Sequence, residues 1–272
     1  MSTASVSAVT ADALRRFADG VRLRAVRMVA PHGFGYLGQA LSSAELVSTL
    51  YSTAYRPDRD QLVCSPGHYI ICVFAAAAEA GLLDEELLAT YGFDDSSLEA
   101  IGTERSPAVD LTCGSLGVGL SGGVGFALSN RLKGDEDALV FVLASDGELE
   151  EGQTWEAVLF AAHHGLGRLV VLLDANDSQV DGPVSAVTTV DPIAAKFESF
   201  GWDAHDVDGH DVDALAAALA SAVGGERPCV VIARTSTRQG LSVLPADADG
   251  HFIKLPPALA RSAVAELEAR LA

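Results

Sequence analysis

Positive charge is scarce in this sequence. Against 37 acidic side chains stand 18 Lys and Arg, a formal net charge of −19 with His neutral. Such an excess repels nucleic acid phosphates and no basic block offsets it, so nucleic acid binding is disfavoured. Cysteine is sparse as well. Cys64, Cys72, Cys113 and Cys229 stand far apart with no CxxC spacing, which argues for buried free thiols and against a disulfide framework or zinc site. Long apolar runs are missing. The longest uncharged one, Tyr69 to Ala78, falls well short of the roughly 20 residues of a membrane span. Residues 1–11, rich in Ala, Ser and Thr, lack the basic start and apolar middle of a signal peptide. The expectation is a soluble, cytoplasmic protein with no membrane contact and a mobile leader over 1–11.

What is present is alternation. The chain has 272 residues, 49% of them hydrophobic, enough for one large α/β domain or two small ones. Helical periodicity covers about 12–30, 43–54, 68–82 and 121–133. Short β-branched or Leu-rich runs then alternate with helices: "ALVFVLA" at 138, a helix over about 152–164, "LVVLLDA" at 169, a helix near 191–200, "AHDVD" at 204, "DVDALAAALASAV" at 211 and "CVVIART" at 229. This rhythm predicts the α/β class, with a mostly parallel sheet sandwiched by helices.

The stretch "VFVLASDGELEEGQTWEA" (140–157) sets a sharper problem, because an apolar strand runs straight into Asp146, Glu148, Glu150 and Glu151. Crowded carboxylates repel one another unless something positive or well solvated absorbs the charge. A right-handed crossover places Asp146 and Asn176, thirty residues apart, just beyond the carboxyl ends of parallel strands, where open α/β sheets bind ligands. A carboxylate, an amide oxygen and a backbone carbonyl make a hard oxygen site suited to Mg²⁺ or Ca²⁺. Gly147 would let the backbone approach a phosphate, and the helix starting near Gly152 would aim N–H groups at it. Asp-Gly after a strand is equally ordinary turn chemistry, and Asn176-Asp177 reads as a turn too. Glu148 and Glu150 read as solvent-facing charge, and Glu151 and Glu156 as acids early in a helix. "GSLGVGLSGGVG" at 114 reads in isolation as a helix start packed closely through its glycines, and not as a P-loop, since no GK[ST] follows. His205 and His210 read as surface or turn residues without metal spacing.

The segment "SDGELEEGQTWEAVLFAAHHGLGRLVVLLDANDSQVDGP" (145–183) resembles the thiamine diphosphate motif of transketolases, a GDG followed about thirty residues later by Asn. Further similarity lies in "CSPGH" at 64, "CGSLGVGLSGGVGFAL" at 113, "FGWDAHDVDGHDVDAL" at 200 and "VVIARTSTRQG" at 230, in the family's order. The resemblance covers about residues 12–255 and implies a single thiamine diphosphate-binding domain over 12–272. It implies that Asp146 and Asn176 bind Mg²⁺ (or Ca²⁺) through side chains and Ser178 through its carbonyl, and that Gly147 approaches the diphosphate. Gly114, Ser115 and Leu116 match the loop against the aminopyrimidine, and Glu151 matches a glutamate at the subunit contact beside the cofactor. His68 matches a histidine near the diphosphate and the reacting carbon, and His251 aligns with another.

The departures are informative. "GYLGQALS" at 35 puts Tyr36 in the slot of a substrate-facing histidine, and the stretch around Thr103 lacks the family's GHP. "SPGH" stands for SKGH, and Ser145 replaces the first glycine of GDG. Cofactor residues survive better than sugar residues, which puts the ordinary pentose phosphates in doubt. The terminal helix "ALARSAVAELEARLA" completes one domain, so the activating glutamate of the pyrimidine-binding half is expected on a separate C-terminal transketolase subunit, in an α2β2 heterotetramer. The implied activity is transfer of a two-carbon ketol unit from a ketose-type donor to an aldehyde, with small carbonyl or sugar substrates. The α subunit of a 2-oxoacid decarboxylase or dehydrogenase, and a non-catalytic transketolase-like partner, are the alternatives.

Overall fold

The computed structural model describes residues 9–272. Most of the expected leader therefore lies outside the described residues. Thr10 already belongs to the first helix: its side-chain oxygen accepts from the Ala13 N–H at 3.2 Å and caps α1 (Ala11–Val29). There follow β1 (Phe34–Gly35), α2 (Leu37–Ser42), α3 (Ala44–Thr53), β2 (Gln61–Pro66), α4 (Ile70–Glu79), β3 (Leu111–Cys113) and α5 (Val118–Lys133). The second half contains β4 (Val140–Ser145), α6 (Gly152–His163), β5 (Leu169–Ala175), α7 (Val184–Val187), α8 (Ile193–Ser199), β6 (Asp203–Asp208), α9 (Val212–Gly224), β7 (Cys229–Arg234), β8 (Ile253–Lys254) and α10 (Pro257–Leu271).

Six strands form one wholly parallel sheet in the order β3-β2-β4-β5-β7-β6. Its central strands are apolar on both faces because both faces are covered. Phe141 and Leu143 of β4, Val170 and Leu172 of β5, and Val231 of β7 join the core that contains α1, α3, α4 and α10 residues. Their alternates Val140, Val142, Val171, Leu173, Val230 and Ile232 join the opposite core with α5, α6 and α8 residues. The apolar run at 69–78 is α4, whose residues from Ile70 to Ala78 are all buried, as a helix hydrophobic all round must be. The parallel α/β expectation holds.

Two features place the site. After β2 the chain crosses to β3 on one side, whereas after β4 it crosses to β5 on the other. The carboxyl ends of the adjacent β2 and β4 thus flank a topological switch point, where such sheets bind ligands. In addition β1 pairs antiparallel with β8, Phe34 opposite Lys254 and Gly35 opposite Ile253, which carries His251 back over the start of α2. Gly38 is required there, since a Cβ on it would overlap the Gly250 carbonyl oxygen.

Candidate functional site

Register does most of the assembly. Ser145 lies opposite Asp174 in the β4–β5 pairing, so Asp146 and Asn176 leave neighbouring strand ends together. The carboxylate of Asp146 spans both loops: Oδ1 accepts from Gly147 N–H at 2.9 Å and Oδ2 from Asp177 N–H at 2.7 Å. Asp146 is only 4% exposed, and burial pushes its acid up from 3.8 to about 7, opposed by those two backbone bonds.

Asn176 is held by a network under the sheet edge. Its Nδ2 donates to Asp174 Oδ2 at 2.8 Å and to the Tyr69 hydroxyl at 2.9 Å, while its Oδ1 accepts from Ser178 N–H at 3.0 Å. Asp174 is fully buried and also accepts from Ser42 Oγ at 2.5 Å, Tyr69 Oη at 2.9 Å and Thr235 Oγ1. Turning the Asn176 amide over would set its oxygen against the Asp174 carboxylate, so Asp174 fixes which way the amide oxygen points. Burial raises the Asp174 acid, and the four donors oppose it.

His68, Tyr36 and His251 meet next to this network. The His68 and His251 rings are 5.1 Å apart, and Tyr36 stands 5.1 Å from His68 and 5.7 Å, edge to face, from His251. Gln39 Nε2 lies 3.1 Å from both His251 Nδ1 and the His251 carbonyl. Burial, reinforced by His251, drives the His68 pKa down to about 3, and burial lowers that of His251. Both rings are neutral at physiological pH, each with one donor and one acceptor nitrogen.

Gly114 and Ser115 are exposed and Leu116 half-buried in the loop from β3 to α5, where the Leu116 carbonyl accepts from Gln153 Nε2 at 2.8 Å. Glu151 is exposed at the start of α6. Gly147 has open space before it, its nearest side-chain neighbour being Gln179 Oε1 at 3.5 Å from the position a Cβ would take. A cavity of about 280 Å³ opens onto Asp146, with Asp177, Ser185, Asp191 and Arg234 in its wall. A larger one, about 630 Å³, lies at the opposite, amino-terminal ends of β6 and β7 beside Asp203 and Cys229, away from these groups.

One expectation is corrected. Glu148 does not face solvent: it is 1% exposed and joined to Ser65, Gly117 and Ser145. His210 lies in a turn as read, half-buried, with Nδ1 3.2 Å from buried Glu45 and Nε2 accepting from Ser236 N–H at 2.9 Å. Three of the four cysteines are buried as expected, while Cys113 is partly exposed. Asp174, Tyr69, Ser42 and Thr235 escaped sequence reasoning. A lone Asp in the apolar run "LVVLLDA" was the available signal.

The donor set fits a hard divalent cation. Among the described residues no three His, Cys, Asp or Glu side chains converge as a metal cage, and no Lys or Arg pairs with Asp146, Glu148 or Asp174. What the ends of β4 and β5 offer a cation is the buried Asp146 carboxylate, without a countercharge, and the oriented Asn176 amide oxygen. That set leaves coordination positions for water or phosphate.

A wholly parallel α/β sheet with polar side chains gathered at its switch point is the place where open sheets of this class take their ligands, and similarity to known proteins gives the family. The chain matches the family described as transketolase, thiamine diphosphate binding domain, over residues 14–265, and it belongs to the transketolase family, whose members are transferases. A putative uncharacterized transketolase family protein of Sinorhizobium fredii is 40% identical over 248 residues, 87% of this chain and 88% of that protein. An apulose-4-phosphate transketolase subunit of Actinobacillus succinogenes is 34% identical over 256 residues, 90% and 92% of the two chains. Among solved structures, the transketolase of Campylobacter jejuni superposes with a TM-score of 0.86 at 24% identity, covering 96% of this chain and 43% of that one. The chain thus spans less than half of that full-length transketolase, and it shares the fold. No helix among the described residues is long and apolar enough to cross a membrane.

Proposed function

We propose that this chain holds thiamine diphosphate through a divalent cation, Mg²⁺ or Ca²⁺, and serves as the diphosphate-binding subunit of a transketolase-like enzyme. Its activity is transfer of a two-carbon ketol unit from a ketose-type donor to an aldehyde. The observation that carries this reading is the placement of Asp146 and Asn176 at adjacent strand ends, with Asp146 bonded to the Asp177 N–H and Asp174 orienting the Asn176 amide. When bound, the cofactor supplies the carbon nucleophile of the reaction. Asp146, the Asn176 amide oxygen and the Ser178 carbonyl would hold the cation, and Gly147 leaves room for diphosphate oxygens. Gly114, Ser115 and Leu116 would form the wall against the aminopyrimidine, and Glu151 the subunit contact. His68 and His251, kept neutral by burial, can each give or take one hydrogen bond at the reacting carbonyl or a phosphate oxygen.

The activating glutamate would come from a separate C-terminal subunit, in an α2β2 assembly. The comparably short apulose-4-phosphate transketolase subunit of Actinobacillus succinogenes supports this, since this chain spans 92% of it. Four free thiols accord with a reducing, cytoplasmic location. The test is thermal unfolding with thiamine diphosphate and Mg²⁺, with and without the product of the neighbouring gene. Stabilisation that requires the cation, is greatest with the second chain, and vanishes in Asp146→Ala supports the reading. No cation-dependent stabilisation in either setting refutes it, and ketol transfer by this chain alone refutes the split assembly.

A further inference from the structure

Glu148 is the buried carboxylate that the metal site does not use. Its Oε1 accepts from Ser65 Oγ and from Gly117 N–H, both at 2.7 Å, and its Oε2 accepts from Ser145 N–H at 3.3 Å. Its own carbonyl accepts from Thr154 Oγ1 at 2.7 Å. These partners belong to different pieces of chain. Ser65 is in β2, three residues before His68; Gly117 closes the loop from β3 into α5; Ser145 ends β4 next to Asp146. One side chain thus joins β2, the start of α5 and the end of β4.

The position of the carboxyl group also matters for α5. By accepting the Gly117 N–H it already satisfies one donor at that helix start. The Gly114–Leu116 loop, held by Glu148 at Gly117 and by Gln153 at Leu116, becomes a fixed wall.

We propose that Glu148 is a positioning residue: it ties β2, the start of α5 and the end of β4 together and sets the span between the Gly147 loop and the Gly114–Leu116 loop across which the cofactor lies. The second half of that statement rests on the thiamine diphosphate reading above; the tie itself does not. The sequence placed this residue in solvent, and only the convergence of β2, β4 and the start of α5 assigns it.

Amide hydrogen exchange on the full chain, free of cofactor, tests the tie. In Glu148→Ala, exchange rises by about tenfold or more at both 65–69 and 114–118 while α10 stays at the wild-type rate, and Glu148→Gln, whose amide oxygen still accepts from Ser65 and Gly117, stays within about threefold. A rise confined to 146–151, or spread evenly over the chain, overturns the proposal. Should the Ala variant fail to fold, Glu148→Asp, one methylene too short to reach both Ser65 and Gly117, must give the same two-region pattern, and its absence overturns the proposal equally. In a second arm, thiamine diphosphate with Mg²⁺ is titrated in the presence of the neighbouring gene's product. Half-protection of 114–118 shifts to about tenfold higher cofactor in the Ala or Asp variant, with Gln close to wild type. Equal half-protection in all variants removes the cofactor role. No protection in wild type sinks the cofactor reading instead, and the first arm still decides the tie.

Discussion

Asp146 sits at 4% exposure with no positive partner, and its folded-state pKa is raised from 3.8 to about 7, chiefly by burial. The sign follows. A carboxyl whose pKa is higher folded than unfolded contributes stability that is complete below the unfolded value and lost as pH rises through the folded one. For this one group the linkage integral between about pH 5 and pH 8 is a loss of roughly 2–3 kcal/mol in the cation-free protein. Glu148, raised from 4.5 to about 7 by burial, adds a loss of the same sign and similar size. The perturbation is Asp146→Asn, which removes the ionisation and keeps the volume, at a cost of about 1 kcal/mol because its NH₂ faces one of the two backbone N–H donors. Urea unfolding in chelator at both pH values should show the wild-type decrease cut by about half in the variant. Mg²⁺ should restore wild-type stability near pH 8, restore little near pH 5 where the acid competes, and leave the variant unchanged. An identical pH slope in wild type and variant would refute the reasoning, because the burial of Asp146 would then carry no ionisation cost.

Asp174→Ala orphans four donors at once and should destabilise by roughly 3 kcal/mol or more, whereas Asp174→Asn, which can still serve Ser42, Tyr69 and Asn176 with its oxygen and Thr235 with its amide, should stay within about 1 kcal/mol; urea melts separate the two. Gly38→Ala drives a methyl into the Gly250 carbonyl oxygen and should cost at least about 2 kcal/mol, with faster proteolytic cutting near 245–250 as the β1–β8 strap loosens. Arg22 Nη2 and Glu45 Oε2 are 2.5 Å apart and almost wholly buried, so Glu45→Ala, leaving the guanidinium only Asp19 at 3.4 Å and the Leu41 carbonyl at 3.0 Å, should cost about 3 kcal/mol and should not be mimicked by high salt on the wild type.

The parallel sheet was legible because β4, β5 and β7 are long apolar runs separated by helices, and a periodicity of that strength survives any detail of packing. The two-residue strands β1 and β8, the three-residue β3 and the six-residue β2 were not read as strands. The shortest carry too few residues to show alternation, and "QLVCSP" merges into the apolar helix that follows. The placement of Asp146 and Asn176 at neighbouring strand ends was legible because they follow β4 and β5, runs whose direction the pattern determines, whereas His68 follows the unread β2 and was singled out by the resemblance alone. Tyr36 was noticed as a departure. Its edge-to-face packing on His251 was not readable, since that contact depends on the β1–β8 pairing.

The acidic stretch 146–151 shows where linear reading stops. Asp146, Glu148, Glu150 and Glu151 are the same kind of residue at the start of the same helix, and helix-start electrostatics accounts for any of them. Burial separates them: Asp146 and Glu148 are inside, Glu150 is half-buried and Glu151 is exposed. What decides is which backbone N–H groups lie unclaimed nearby, and those come from Asp177, Gly117 and Ser145. Asp177 and Gly117 lie in the turns that follow β5 and β3, each 31 residues in sequence from the carboxylate it serves. A carboxylate is drawn inward only where the completed sheet supplies such donors, so the burial of Glu148 is a property of the β3-β2-β4-β5 order and not of its neighbours in sequence.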